Sequence, residues 1–265
     1  MDSARLIFVI AAINQCEVLC LGVSGAYLCG KRRSTAAPVF HRLPPGLDAL
    51  RHLSNDKRFR YHSDSDEPLL WRCDANLYGL QDAGAVWWAE ARDWLLGLGF
   101  VQSSVDPCIF CKRRPSPHND FCLLGLYVDD SLGAYSTTSI KEWYLHEFEK
   151  HFRQSPDSGS DHPEFIAIRF TVSPDKRTIR LNTPKLWGRL RQRISDIPLP
   201  SVSSPLPHNA MDLLYAAPSP TNPIIPATEF DARGILSVAV WGVLAVRPAE
   251  TSAASLLARS AHVPT

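Results

Sequence analysis

The sequence has no apolar run long enough to cross a lipid bilayer. A membrane-spanning helix needs roughly 20 consecutive apolar residues, whereas the apolar stretch near the N-terminus covers only residues 6–13. Charge of one sign is not in excess either, since 28 Lys and Arg oppose 27 Asp and Glu for a net charge of +1. We therefore expect no membrane partner, and any contact with a polyanion has to come from local clusters of basic residues.

The chain also lacks a cysteine pattern typical of disulfides or zinc. Its seven cysteines are an odd number and are scattered along the sequence. Cys108 and Cys111 have CxxC spacing, but they lie in an apolar, strand-like run, and no second pair follows at zinc-finger spacing. A structural Zn²⁺ site needs four ligands, and His118 alone cannot supply the other two. We predict buried free thiols in a reducing, intracellular compartment, the cytoplasm or the nucleus.

The apolar residues 6–13 are compatible with two structures. They could form the hydrophobic core of a secretory signal peptide, or the buried face of a helix. Asp2 offsets Arg5 ahead of the run, and Asn14 and Gln15 interrupt it before any small-residue cleavage site. The prediction is therefore a helix that leads into a strand over residues 5–19, and the signal peptide is the alternative.

Two adjacent carboxylates, Asp129 and Asp130, stand between two strand-like segments. Residues 121–126 are apolar and residues 131–135 alternate, which predicts a hairpin with the Asp pair at its tip. Paired like charges repel, so this tip contributes no stability by itself. Carboxylate oxygens are ligands that Mg²⁺ prefers, and the pair is therefore a candidate metal site. The alternative is an ordinary solvated turn.

Hydrophobic periodicity divides the rest of the chain into strands and helices. The content of 45% hydrophobic and 21% charged residues is ordinary for a globular protein. The predicted elements are a strand over 69–76, helices over 83–98 and 138–151, a hairpin of 165–170 and 178–181, a helix over 184–194 and a helical pair over 233–246 and 250–261. Eight prolines fall within residues 198–226, which predicts a linker or an irregular connection.

Several segments, in the same order along the chain, resemble the copia-type (Pseudoviridae-like) LTR retrotransposon reverse transcriptases. Residues 77–87 (LYGLQDAGAVW) resemble LYGLKQAPRAW, residues 105–110 (VDPCIF) resemble VDPCLF, and residues 127–130 are similar to the catalytic YVDD. Residues 23–30 resemble DVxxAFLNG without its Asp, and residues 43–47 resemble QPPGF. Near the C-terminus, residues 247–248, 255–259 and 264–265 resemble parts of RPDIAFAVSLLSRFMSNPT. The sequence is identified as a member of this family.

The resemblance implies an α/β (α+β) fold. We expect a reverse-transcriptase palm with an antiparallel sheet, helices on one face, the YVDD hairpin at its centre, and a partial thumb. The expected domains are the palm over 1–155, a primer-grip-like hairpin and thumb-like helix over 156–197, the Pro-rich linker over 198–226, and a C-terminal helical pair over 227–265. The fingers, the integrase and the RNase H of the family polyprotein are expected to be missing.

The resemblance also implies a site for RNA-directed DNA synthesis. Asp129 and Asp130 are the expected catalytic, metal-binding carboxylates of a two-Mg²⁺ site, which activates the primer 3′-hydroxyl and neutralises the pyrophosphate leaving group. Tyr27 is expected to lie under the sugar of the incoming dNTP and to exclude a 2′-hydroxyl, with an ordinary core tyrosine as the alternative. Val128 is expected near the primer end. The implied partners are an RNA or DNA primer–template and dNTP.

This sequence departs from the family pattern at several site positions. Gly22 stands where the family has its third metal-binding Asp, and Glu17, about 16 Å away along the same predicted strand, cannot replace it. Asp82 replaces a Gln that touches the nucleotide, Ala167 replaces a Gly beside the primer, and Ala249 replaces the Asp of RPD. We therefore expect an incomplete metal site and little or no polymerase activity.

Basic residues cluster at 31–33, 112–114 and 185–193. Lys185, Arg189 and Arg191 are predicted to follow a primer–template phosphate backbone from one helix face, whereas solvated surface charge is the simpler interpretation of the first two clusters. A second hypothesis is therefore a non-catalytic remnant that binds nucleic acid or associates with an intact polymerase or integrase segment. A third, an unrelated secreted or metal-dependent hydrolase, rests only on the apolar N-terminus and the Asp pair.

Overall fold

The computed structural model of the protein describes residues 2–30, 39–42, 70–73, 75–115, 120–156, 163–196 and 231–260, and the single positions 201, 206, 209 and 212. Several predictions fall wholly or mostly outside these residues. They are the Pro-rich linker over 198–226, the basic cluster 31–33, the QPPGF-like segment 43–47 and His118.

The described chain alternates between short strands and longer helices. The strands are β1 (Glu17–Gly22), β2 (Val39–Arg42), β3 (Leu70–Cys73), β4 (Val101–Gln102), β5 (Ile109–Arg113), β6 (Phe121–Tyr127), β7 (Asp130–Tyr135), β8 (Glu164–Phe165), β9 (Ile168–Val172) and β10 (Ile179–Asn182). The helices are α1 (Asp2–Ile13), α2 (Ala26–Cys29), α3 (Ala83–Gly97), α4 (Thr138–His151), α5 (Pro184–Arg193), α6 (Ala232–Val246) and α7 (Thr251–Ser260).

Five strands form the main antiparallel sheet, in the order β1-β7-β6-β5-β4. Strands β6 and β7 make a hairpin in which Tyr127 pairs with Asp130, so the turn between the strands consists of Val128 and Asp129. Two smaller sheets, β10-β9-β8 and β2-β3, complete the strand pairing. The antiparallel sheet with the YVDD hairpin near its middle confirms the predicted fold class.

Helices cover both faces of the sheet, and the prediction that they lie on one face is wrong in this respect. On one face, Leu124 and Tyr135 pack in a core with Trp87 of α3 and Tyr144 of α4. On the other face, Leu132 packs in a second core with residues of α1 and of β8 and β9, namely Ala4, Ile7, Phe8, Ala11, Phe165 and Phe170. The reason is that β6 and β7 carry apolar side chains on both sides, and each side has to be removed from water.

The apolar N-terminal segment forms a helix of the folded domain. Ala4, Ile7, Phe8 and Ala11 of α1 are buried, at the spacing that places them on one side of a helix. Their apolar character is therefore accounted for by packing on the sheet. None of the helices in the described part of the chain combines the length and the apolarity that a membrane span requires.

The two long helices of the main core occur where periodicity predicts them. Helix α3 covers Ala83–Gly97 against the predicted 83–98, and it buries Trp87, Ala91 and Leu95 at four-residue steps. Helix α4 covers the predicted residues 138–151, and its N-cap Thr137 accepts a hydrogen bond from the backbone N–H of Ile140. Both helices present an apolar stripe that the sheet buries.

The strand predicted over 165–170 is divided in two. Phe165 pairs with Ile168, so β8 and β9 form a hairpin of their own. The two residues between them, Ile166 and Ala167, have φ angles of 52° and 59°. A type I′ hairpin turn requires positive φ at both of its central residues, and for this reason the two positions are usually Asn and Gly. The chain therefore reverses at the position where the family has Gly, and here an Ala adopts that conformation.

The C-terminal helices pack against α5. Trp187 of α5 lies over Gly242 of α6, where a Cβ would lie 3.0 Å from the indole ring. The guanidinium carbon of Arg247 lies 5.5 Å from the centroid of the same ring. Asp231 caps α6 by accepting from the backbone N–H of Gly234. The predicted helices over 184–194, 233–246 and 250–261 are thus present with small shifts in their ends.

Candidate functional site

The Asp pair lies at the tip of the β6–β7 hairpin, as the sequence predicts. Asp129 is exposed in the turn and Asp130, the first residue of β7, is partly buried. Val128 has a φ of 54°, a conformation that is an outlier for a β-branched residue. Such outliers persist only where neighbouring groups hold them, and they are frequent at functional sites.

Three hydrogen bonds fix the turn to its surroundings. The indole N–H of Trp87 on α3 donates to the carbonyl of Val128. The backbone N–H of Val23 donates to the carbonyl of Asp129 at 2.9 Å. One residue beyond the pair, the Ser131 hydroxyl donates to the carbonyl of Leu21 at 3.1 Å. The sequence predicts Trp87 only as a core aromatic, although a buried indole N–H generally needs a partner, which was the available clue.

The two carboxylates share one small region of negative charge. Burial, and secondly the charge of Asp129, raise the pKa of the Asp130 carboxyl from its usual range to about 6. Ionised Asp130 is therefore destabilising near neutral pH when no cation is close. A divalent cation beside the pair reverses this effect, because it favours the ionised form.

Gly22 lies directly beside the Asp pair. It is the register partner of Asp130 in the β1–β7 ladder. A Cβ built on Gly22 would lie 3.2 Å from Oδ1 of Asp130 and 3.0 Å from the Cβ of Ser155. A side chain at position 22 would therefore point at the Asp130 carboxylate. This is the position at which the resemblance to the family implies a third Asp.

Glu17 lies at the opposite end of β1. It pairs with Tyr135, at the far end of β7 from Asp130. Its carboxylate binds Lys141, accepts from the Thr138 hydroxyl at 2.7 Å and lies 3.6 Å from Lys176. The Glu17 carboxylate is therefore far from the turn and already paired with Lys141 and Thr138, so it does not serve as the third ligand.

The carboxylates at the turn fit one cation better than two. Asp129 and Asp130 are the acidic side chains that the described residues place there, and nowhere in the described ranges do three or more His, Cys, Asp or Glu side chains converge as a metal site would require. Two bridged metals roughly 4 Å apart normally share more carboxylate ligands than this. Among the described residues, the turn therefore offers a cation two carboxylates.

Tyr27 lies on α2, five residues after Gly22, and is half-buried. Its ring contacts that of Tyr78 with centroids 4.7 Å apart, and its hydroxyl lies 4.0 Å from where a Cβ on Gly84 would be. Tyr78 is 63% exposed. Tyr27 therefore packs in part against the core and in part faces an exposed aromatic ring.

The other departures from the family pattern lie at exposed positions. Asp82 is exposed at the N-terminal end of α3, where a negative charge is favoured by the helix dipole. Ala167 is exposed in the β8–β9 turn, and Ala249 is exposed in the 3-10 turn Pro248–Glu250. None of these three side chains is part of the core.

The predicted nucleic-acid residues of α5 are in different environments. Lys185 makes an ion pair with Glu164 at 2.7 Å. Arg189 is exposed, and no ion pair involving it is found within the described residues. Arg191 lines a groove of about 690 Å³ between α5, α6 and α7. The three residues therefore share a helix, but they do not form one set of free cations.

The described cysteines are free thiols, two buried and four partly buried: Cys16, Cys20, Cys29, Cys108, Cys111 and Cys122. Burial is the main cause that raises the pKa of Cys16 to about 11, and burial also raises the pKa of Cys108 and Cys111. Thiols of this kind are poorly nucleophilic and poorly metal-binding. The prediction of free thiols is confirmed for these residues, and the prediction that they are buried is confirmed for Cys16 and Cys122.

An antiparallel sheet covered by helices, with a carboxylate pair at a hairpin turn of positive φ, is consistent with a polymerase-type palm. The sequence profile of the family described as reverse transcriptase (RNA-dependent DNA polymerase) matches residues 1–190. This match covers more than half of the chain, and the protein therefore belongs to that family.

Three curated relatives are retrotransposon polyproteins. The chain is similar to the retrovirus-related Pol polyproteins from transposon RE1 of Arabidopsis thaliana (26% identity over 99% of the chain), transposon TNT 1-94 of Nicotiana tabacum (23% over 78%) and transposon RE2 of Arabidopsis thaliana (24% over 99%). It spans 16%, 14% and 16% of their respective lengths. The predicted kinship with copia-type reverse transcriptases is confirmed.

Proposed function

We propose that this chain is the palm of a copia-type RNA-directed DNA polymerase with impaired catalysis, which binds one divalent cation at Asp129 and Asp130. The observation that carries the proposal is Gly22, which faces Asp130 from the adjacent strand at a Cβ distance of 3.2 Å. A glycine there supplies no ligand. A cation bound there would offset negative charge that develops on the reacting phosphate.

The side chains around the turn support roles in binding the substrate. Val128 is 46% exposed beside the Asp pair, which suits a contact with the primer end. The half-buried Tyr27 lies against Tyr78 and could support a nucleotide sugar with its ring. The proposed substrates are an RNA or DNA primer–template and dNTP, with residues 1–155 as the palm and residues 156–197 as the primer-grip-like hairpin and thumb-like helix.

The proposed cation site predicts a pH-dependent stability that metal reverses. The pKa of Asp130 is about 6 in the folded chain and about 3.9 in an unfolded one. Folding therefore takes up a proton between these two pH values, and the stability that Asp130 contributes is complete below about pH 4 and is lost as the pH rises through 6. In EDTA, Asp130→Asn should be more stable than the natural chain by about 1–2 kcal/mol at pH 7.5, after allowance for solvent screening, and equally stable near pH 4.

Thermal unfolding with and without Mn²⁺ measures this effect. At saturating Mn²⁺ and pH 7.5 the natural chain should gain about 1–3 kcal/mol, and at pH 5 it should gain much less, because Asp130 is then largely protonated. Asp130→Asn should gain little at either pH. An equal Mn²⁺ effect on the natural chain and on Asp130→Asn would contradict the proposed site.

The same chain is proposed to bind a primer–template, and this is the second candidate function if catalysis is absent. Arg189 is exposed, whereas Lys185 is already paired with Glu164 at 2.7 Å. Arg189→Gln should therefore weaken binding of a labelled RNA–DNA hybrid about two- to fivefold and reduce the salt slope by about one. Lys185→Gln should have a smaller effect, since its ion pair competes with phosphate.

Fluorescence anisotropy between 25 and 200 mM salt separates these variants. The absence of binding by the natural chain at low salt would remove nucleic-acid binding as a function. If neither Arg189→Gln nor Lys185→Gln changes the affinity for the hybrid, the phosphate contacts lie elsewhere on the surface. Association with an intact polymerase or integrase segment would be tested by the same titration with those proteins in place of the hybrid.

A further inference from the structure

We propose that Trp87 is a positioning residue for the Asp129–Asp130 pair, because its indole N–H holds the carbonyl of Val128 and with it the conformation of the turn. This inference rests on the proposed cation site and extends it to a residue on another element, 41 positions earlier in the chain.

The turn needs an external support. Val128 is β-branched and has a φ of 54°, which hard-sphere contacts disfavour for such a residue. Its side chain is 46% exposed, so packing does little to hold it. The support comes through the backbone instead. Trp87 binds the carbonyl of Val128, and Val23 binds the next carbonyl, that of Asp129, at 2.9 Å.

Trp87 is itself held rigidly. Its side chain is 4% exposed, and its ring packs edge-on against Phe152 with centroids 5.3 Å apart. Below the turn, Trp87, Val128, Asp129 and Asp130 line a cavity of only about 20 Å³, which has room for about one water. The indole therefore cannot be replaced by a mobile side chain or by bulk water without changing what the Val128 carbonyl contacts.

A nearby tryptophan provides a matched control. Trp94 lies two turns further along α3, lines the same cavity and packs on Phe152 with centroids 4.8 Å apart. Within the described residues its indole has no hydrogen bond to the turn. If Trp87 is only a core side chain, Trp87→Phe and Trp94→Phe should resemble each other in every property except the extent of destabilisation.

The test compares the natural chain, Trp87→Phe, Trp94→Phe and a chain with 3-benzothienylalanine at position 87. The last replacement keeps the shape of indole and removes the N–H, so it remains informative if Trp87→Phe does not fold. Two properties of the folded proteins are measured. One is the backbone conformation of Val128, from ¹³C chemical shifts in EDTA, and the other is the dissociation constant for Mn²⁺ at pH 7.5.

We expect both changes at position 87 to weaken Mn²⁺ binding about tenfold, the size typical for residues that orient metal ligands, and to shift Val128 away from its positive φ. Trp94→Phe should leave both properties unchanged. Unchanged values at position 87, or equal changes in Trp94→Phe, would overturn the inference. If the natural chain binds no Mn²⁺, the proposed cation site fails, but the Val128 conformation still decides whether Trp87 holds the turn that carries the pair.

Discussion

Gly22→Asp should raise Mg²⁺- or Mn²⁺-dependent primer extension on an RNA template by at least about 100-fold over the natural chain. The new carboxylate would leave β1 toward Oδ1 of Asp130, which lies 3.2 Å from the Cβ position. A third ligand at this point restores the charge that the cations need, and each 1.36 kcal/mol of transition-state stabilisation is tenfold in rate. The measurement is single-turnover extension of a labelled primer.

Two further variants separate charge from shape. Gly22→Asn has nearly the same shape as Gly22→Asp without the charge, and it should remain as inactive as the natural chain. Ser155→Gly relieves the 3.0 Å approach of the Ser155 Cβ to the new side chain, so Gly22→Asp with Ser155→Gly should equal or exceed Gly22→Asp alone. Measurable and equal extension by both the natural chain and Gly22→Asp would show that two carboxylates suffice.

The new carboxylate should also change stability in a metal-dependent way. The charge of Asp129 already contributes to raising the pKa of Asp130 to about 6, and a third carboxylate would raise it further. Gly22→Asp should therefore be less stable than Gly22→Asn in EDTA at pH 7.5, and Mn²⁺ should remove the difference. This comparison identifies the ligand even where extension is limited by another part of the enzyme.

Gly133→Ala should lower the free energy of unfolding by about 3 kcal/mol or more, which is at the upper end for overpacking. Gly133 is in the middle of β7, and a Cβ there would lie 2.6 Å from Cε2 of Tyr135, with the ring hydroxyl closer still. Tyr135 is 1% exposed and packs against Tyr144 with centroids 5.7 Å apart. Its ring lies over Gly133 and has nowhere to move. Urea unfolding measures the loss.

Gly97→Ala is the control for Gly133→Ala, with the opposite sign. Gly97 ends α3 at an exposed position, and a Cβ there would meet no atom within 4 Å. The substitution should therefore stabilise the chain by about 0.5–1 kcal/mol through helix propensity alone. A loss below 1 kcal/mol for Gly133→Ala would mean that Tyr135 is less tightly confined than the structure places it.

The amino-acid sequence determined the elements whose signal is local. The apolar spacing of Trp87, Ala91 and Leu95 predicts α3, and the runs on either side of residues 127–130 predict the β6–β7 hairpin. The resemblance to the family motifs predicts a metal-binding role for the Asp pair and a carboxylate at position 22, where this chain has Gly. These features depend on neighbours a few residues apart, so they can be read before the chain folds.

The tertiary structure decided which distant groups meet. The register of β1 against β7 places Gly22 opposite Asp130, the packing of α3 brings the Trp87 indole to the Val128 carbonyl, and Lys185 is bound by Glu164. Both faces of the sheet are covered, because the helix that precedes β1 packs opposite α3 and α4. The residues in these contacts are 20 to 110 positions apart in the sequence, and no periodic pattern of apolar residues links them. The contacts form because folding buries apolar surface along the whole chain and brings these residues together.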